Sequence, residues 1–157
     1  MSLSFTPVFK DRMIGWTGGQ YSVYRILFGL YLLIHFLHLL PWASEMFSNE
    51  GMLPVAAHVP TMLAFPNVFW VSDSPVFAQG ILVVAGILCL LFMAGKWDRL
   101  AAVLLWYIWA CLLGRNPLIL NPGIPYVGWL LLAHAFLPAA PYGSLAARGR
   151  VDPDNGW

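Results

Sequence analysis

An all-α integral membrane fold, a four-span antiparallel helical bundle with both termini cytoplasmic, is predicted by two observations. Four long apolar stretches run Tyr21–Leu40, Val76–Ala94, Leu100–Leu113 and Ile124–Ala140. Almost every positive charge falls on one side of the membrane they imply. Lys10, Arg12, Lys96, Arg99, Arg148 and Arg150 lie before the first stretch, between the second and third, or after the fourth. The other two loops contain Arg115, with Glu45, Glu50 and Asp73. An even number of spans puts both ends on one side, and the positive-inside bias makes that side the cytoplasm. The expected location is a bacterial inner membrane.

Composition agrees. The chain is 60% apolar and 10% charged, against about 25% charged in soluble domains. A soluble fold of 157 residues leaves too much surface exposed to hide that much apolar area. The net charge of +1 sits at membrane edges rather than in a patch, so no nucleic-acid partner is expected. Cys89 and Cys111 fall toward opposite ends of different spans, too far apart for a bridge that needs Cα atoms within about 7 Å.

Three regions follow: an N-terminal interfacial segment at 1–20, a transmembrane domain at 21–145 and a polar tail at 146–157. Phe5, Val8, Phe9, Met13 and Trp16 recur at near-helical spacing opposite Lys10, Asp11 and Arg12, the pattern of a short helix lying in the interface. Gly18 and Gly19 then allow a turn into helix 1. Arg25 lies one turn inside that helix, from where its stem can reach back to the headgroups. Helix 1 ends near Pro41, with Trp42 at the outer interface. The connection from Pro41 to Pro75 carries no Lys or Arg but many large apolar residues. Short interfacial helices, broken at Pro54, Pro60 and Pro66, should cap the bundle there. Helix 2 begins with Ser74 as N-cap and Pro75 at its first position. Gly95 ends it, and Asp98 is the expected N-cap of helix 3, giving a tight hairpin. The segment Arg115–Pro125 is too rich in Asn, Pro and Gly for regular helix. Helix 4 starts at Pro125 and stops at Pro138 or Pro141.

Histidines are the first candidates for chemistry, because ionisable groups at membrane depth mark function. His35 and His38 share a face of helix 1, and His134 lies in helix 4 between Ala133 and Ala135. At 1.5 Å per residue, His35 is roughly 20 Å and His134 about 9 Å from the cytoplasmic side. That mismatch, of order 10 Å, argues against one haem shared by both. A single histidine can still ligate a haem or chlorin; otherwise each donates to a backbone carbonyl of a neighbouring helix. Arg115 and Asn116 open an irregular outer segment. Arg115 either binds loop carbonyls or holds an anionic headgroup, and Arg25 is a further lipid-binding candidate. No nucleophile elbow, phosphate loop or metal-ligand spacing is present in the sequence.

VYRILFGLYLL at Val23–Leu33, GILCLLFMAGKWDRLAAVLLW at Gly86–Trp106 and LGRNPLILNPG at Leu113–Gly123 resemble parts of the HTTM proteins, the membrane domain related to vitamin K-dependent γ-carboxylase. The resemblance covers most of 21–145 and implies a minimal four-helix form. The carboxylase uses a lysine base and a histidine on the outer side. Here Lys10 and Lys96 are placed in the cytoplasm, and Asn121-Pro122-Gly123 replaces the histidine-bearing stretch. Carboxylation is therefore not expected. The helix–Gly-basic–helix unit around Gly95–Leu100 is also similar to DoxX-like proteins, which include small subunits of quinone-reducing enzymes.

The leading expectation is a non-catalytic accessory subunit of a larger membrane complex, contacting other membrane subunits and lipids, with no cofactor predicted. It rests on large apolar groups (Trp106, Trp109, Phe92, Phe136) without a convergent polar site. One alternative is a quinone-linked redox subunit with His35 or His38 as donor to the quinone. Another is a pigment- or haem-binding protein with His134 or His35 as single axial ligand.

Overall fold

The computed structural model describes residues 17–137 and 144–145, which are helices joined by turns, with no strand among them. The interfacial helix expected before residue 17, Lys10, Arg12, Arg148, Arg150 and the tail at 146–157 lie outside the described residues. Five α-helices follow in order: α1 Gly18–Leu39, α2 Ala43–Phe47, α3 Pro75–Ala94, α4 Asp98–Arg115 and α5 Ile124–His134. Short 3₁₀ turns lie between α1 and α2, between α2 and α3, and between α4 and α5.

Two helical runs, Gly18–Phe47 and Pro75–Ala94, are long and apolar enough to cross a membrane. Their apolar windows are only 22% and 33% buried, the reverse of a core helix in a soluble protein. With 20 residues, α3 measures about 30 Å, the thickness of a bilayer's hydrocarbon. Asp98, Arg99 and Arg115 sit at the ends of α4, and α5 has 11 residues, so neither has that length and apolarity.

Local sequence explains each start and stop. Thr17 caps α1: its hydroxyl accepts from Gln20 N at 3.1 Å, and the Gln20 side chain accepts from Thr17 N at 2.8 Å. This reciprocal capping box draws Gly18 and Gly19 into the helix, where a turn was expected. Ser74 and Pro75 begin α3 as expected. Gly95 closes it with φ 63, and Lys96 N donates to Leu91 O at 3.2 Å. That left-handed cap favours glycine, which has no Cβ to clash. Trp97, not Asp98, is the N-cap of α4, itself at φ 56. Helix α5 stops at His134, short of the expected prolines. A proline disfavours helix in the residue before it, and the chain tightens into i−3 bonds ahead of Pro138, the last from Leu137 N to His134 O at 3.0 Å.

Helix α1 packs on α3, α3 on α4, and α4 on α5. Gly29 lets α1 and α3 approach closely, since a Cβ there would lie 2.4 Å from Met93 Cγ. The core runs through Leu32, Phe36, Leu82, Ala85, Phe92, Leu105 and Leu112. Phe92 and Trp109 are buried in it, whereas Trp106 and Phe136 stay exposed. Both cysteines are buried free thiols.

The 41–75 connection folds over one end of α4, and polar side chains latch it there. Asn67 Nδ2 donates to Cys111 O at 2.9 Å, Thr61 Oγ1 to Gly114 O at 2.7 Å, and Tyr107 OH to Pro66 O at 2.9 Å. A helix leaves its last carbonyls without helical partners, and the cap supplies one for Gly114. At the opposite end, Ser144 Oγ donates to Gly95 O at 3.0 Å and Leu145 N to Ala94 O at 3.0 Å.

Candidate functional site

The hairpin end of the bundle gathers polar groups from four helices. Arg25 does not reach outward to headgroups; it is 1% exposed. Its Nε donates to Met93 O at 3.3 Å. Met93 is in the last turn of α3, where carbonyls lack helical partners and carry the negative end of the helix dipole. A cation inside the bundle is stabilised there. Trp97 holds the N-cap position of α4 without a side-chain cap, and the Asp98 carboxylate one residue on faces α5. Asp98 Oδ2 lies 3.3 Å from His134 Nε2, with both side chains buried. His134 was expected to donate to a backbone carbonyl; it meets a carboxylate instead. The hydrogen bond with His134 holds the Asp98 carboxyl below the usual carboxylate range, with Arg25 acting the same way against the opposing effect of burial. Asp98 precedes the apolar run 100–113, at the hairpin.

An ionised carboxylate only accepts, so His134 Nε2 carries the proton. The other ring nitrogen, Nδ1, points away from this pair. That atom is buried and has no hydrogen-bond partner among the described residues. Phe92 packs edge-on against the His134 ring at 4.6 Å, and Tyr24 lies beside it at 6.3 Å. Next to the pair is a cavity of about 170 Å³, lined by Tyr21, Tyr24, Leu130, Ala133, His134 and Leu137.

Tyr24 also begins a ladder of rings along one face of α1. Centroids are 5.5 Å apart from Tyr24 to Phe28, 6.5 Å from Phe28 to Tyr31 and 6.3 Å from Tyr31 to His35. His35 then meets Trp109 of α4 at 5.1 Å. His35 is half-buried in this contact, while His38 is exposed at the last turn of α1. The two therefore do not converge, and His134 and His35 stand at opposite ends of the ladder.

Arg115 and Asn116 belong to the cap. Arg115 Nη2 donates to Ser48 O at 2.8 Å, and Asn116 Nδ2 to Met46 O at 2.9 Å. Arg115 is 0% exposed, so its guanidinium clamps the loop rather than meeting solvent. Tyr24 and Asp98 are the site residues that sequence reasoning missed. No protein-family model, curated protein or solved structure matches the chain.

Proposed function

We propose that the protein is a non-catalytic subunit of an inner-membrane assembly that holds a lipid-soluble ligand at His134. Four antiparallel crossings, α1, α3, α4 and α5, put both termini on the cytoplasmic side with the 95–97 hairpin. In support, Ser144 and Leu145 bond to that hairpin, and Arg25, near the start of α1, bonds to the end of α3 beside it. The fourth crossing is the shortest and calls for a locally thinned bilayer. Kinship with the HTTM domain, or with DoxX-like proteins, is part of the same proposal and rests on the three motifs given above.

The observation that supports a ligand role is that His134, buried and paired with Asp98, also lines an apolar cavity. Pockets that bind small molecules combine apolar walls with a few placed polar groups. Polar groups do meet at this end of the bundle, where Asp98 pairs with His134 and Arg25 bonds to the end of α3, which supports a site there. Size bears on the alternatives: a cavity of about 170 Å³ is close to the roughly 150 Å³ that takes benzene. It is small for a haem or chlorin ring, and it favours a one-ring head. Solvent extraction of protein purified in mild detergent should release a stoichiometric one-ring lipid, depleted in His134→Ala, with no Soret or chlorin band in the spectrum. A band lost in His134→Ala would support the pigment alternative and overturn this one.

A further inference from the structure

We infer that the hairpin segment 95–99 is a binding site for the phosphate of an anionic phospholipid, with the Trp97 ring seated among the headgroups. This rests on the membrane crossing of α3 proposed above and does not depend on a ligand at His134. The starting point is a conformation that local rules disfavour. Trp97 has φ 56 and ψ 33, in the left-handed region that strains a bulky side chain. It also holds the N-cap position of α4 and makes no side-chain cap, where Ser, Thr, Asp, Asn or Gly is preferred. Glycine would satisfy both demands of the backbone. Packing does not compensate, because Trp97 is 64% exposed. A residue that breaks local rules without burial in return marks a functional position.

The surroundings of the exposed ring say what it meets. A spanning helix of 20 residues delivers the hairpin to a membrane surface, and tryptophan concentrates at that level. Lys96 Nζ lies 5.1 Å from the centre of the Trp97 ring, within range of a cation–π contact. Arg99 is exposed as well, and its Nε donates to Leu137 O at 2.9 Å. That bond holds the guanidinium at the surface with further N–H donors to offer. The tip is braced from behind by Lys96 N on Leu91 O at 3.2 Å and by Ser144 Oγ on Gly95 O at 3.0 Å. Among the described residues no exposed carboxylate offsets these cations at the hairpin. Asp98 is buried against His134, and Glu45, Glu50 and Asp73 lie in the cap at the other end. Two cations beside an interfacial ring suit the phosphate of a lipid with net negative charge. A soluble phosphate offers the same charge but leaves the ring in water.

Native mass spectrometry of the protein in mild detergent, titrated with phosphatidylglycerol and with phosphatidylcholine of the same chains, tests this. Phosphatidylglycerol should be retained preferentially. Its retention should fall about fivefold in Lys96→Gln and roughly 25-fold in the double variant with Arg99→Gln. Trp97→Gly should also weaken it, yet raise the thermal unfolding temperature in phosphatidylcholine nanodiscs by relieving the left-handed strain. Retention indifferent to all three substitutions would overturn the inference. So would a less stable Trp97→Gly protein, since the ring would then serve the fold. Inorganic phosphate should not displace the lipid; displacement would mean that the site reads free phosphate. A benzophenone placed at Leu100, which is 56% exposed next to the hairpin, should crosslink to lipid in intact membranes. A protein adduct there would overturn the inference in favour of an acidic partner. If the protein enters bilayers of both lipids and retains both alike, this inference fails alone. If it enters neither bilayer, the membrane crossing fails with it.

Discussion

Replacing Asp98 with asparagine tests the polar cluster most sharply. The substitution keeps the shape of the side chain and removes its charge. Asp98 is 5% exposed and lies 3.3 Å from His134 Nε2, with Arg25 at 1% exposure on the same side of the bundle. A hydrogen bond to a charged group contributes about 1.5–3 kcal/mol. Breaking a fully buried ion pair can cost roughly 3–5 kcal/mol. Asparagine still accepts from Nε2, and the imidazole can remain neutral, so the lower range applies. Asp98→Asn should destabilise the protein by about 1.5–3 kcal/mol, and a double-mutant cycle with His134→Phe should show coupling of at least about 1 kcal/mol. Equilibrium unfolding in mixed micelles measures both. The pH dependence has a definite sign, because the folded-state pKa of Asp98 lies below its ordinary value. Its contribution is whole above the unfolded pKa of about 3.9 and is lost as the pH falls through the folded value. The gap between wild type and Asp98→Asn should therefore shrink toward zero in strong acid. Additive single mutants, within about 0.5 kcal/mol, would refute the idea that Asp98 and His134 act as a unit.

Gly95→Ala should cost about 1–2 kcal/mol, because φ is 63 and a Cβ would meet Ser144 Oγ at 2.5 Å; thermal unfolding in detergent reads it. Asn67→Ala removes bonds to Cys111 O and Phe69 N and should cost about 1–2 kcal/mol. Limited proteolysis should then cut the 49–66 region faster while α3 and α4 survive. For topology, Glu50 and Lys96 are exposed and both native cysteines are buried. Glu50→Cys should react with an impermeant maleimide from outside intact cells, and Lys96→Cys only after lysis; the reverse pattern would invert the orientation.

Much of the frame was legible because it is local. Ser74-Pro75, Gly95 and the apolar runs are short-range signals, and they place α3 and the hairpin where the structure has them. The misplaced features depend on distant partners. Arg25 meets Met93 O at the end of α3, and Asp98 meets His134 of α5. Neither partner is visible from a neighbouring residue. The sequence places Arg25 one turn inside helix 1, Asp98 at the hairpin and His134 about 9 Å from the same side, but depth alone does not show which side chains meet. The ring ladder was the more readable omission. Tyr24, Phe28, Tyr31 and His35 follow a 4-3-4 spacing, which places them on one face of α1. The latches of the cap, from Asn67 and Thr61 to α4, span too much sequence to be read from any local pattern.

The claim at the centre of this account is that Asp98 and His134 form one buried unit through His134 Nε2. Selective ¹⁵N-histidine NMR of the protein in nanodiscs tests it directly. The His134 Nε2 resonance should show a hydrogen-bonded N–H and should move in Asp98→Asn. A His134 Nε2 without a proton, or a His134 spectrum that Asp98→Asn leaves unchanged, would contradict it.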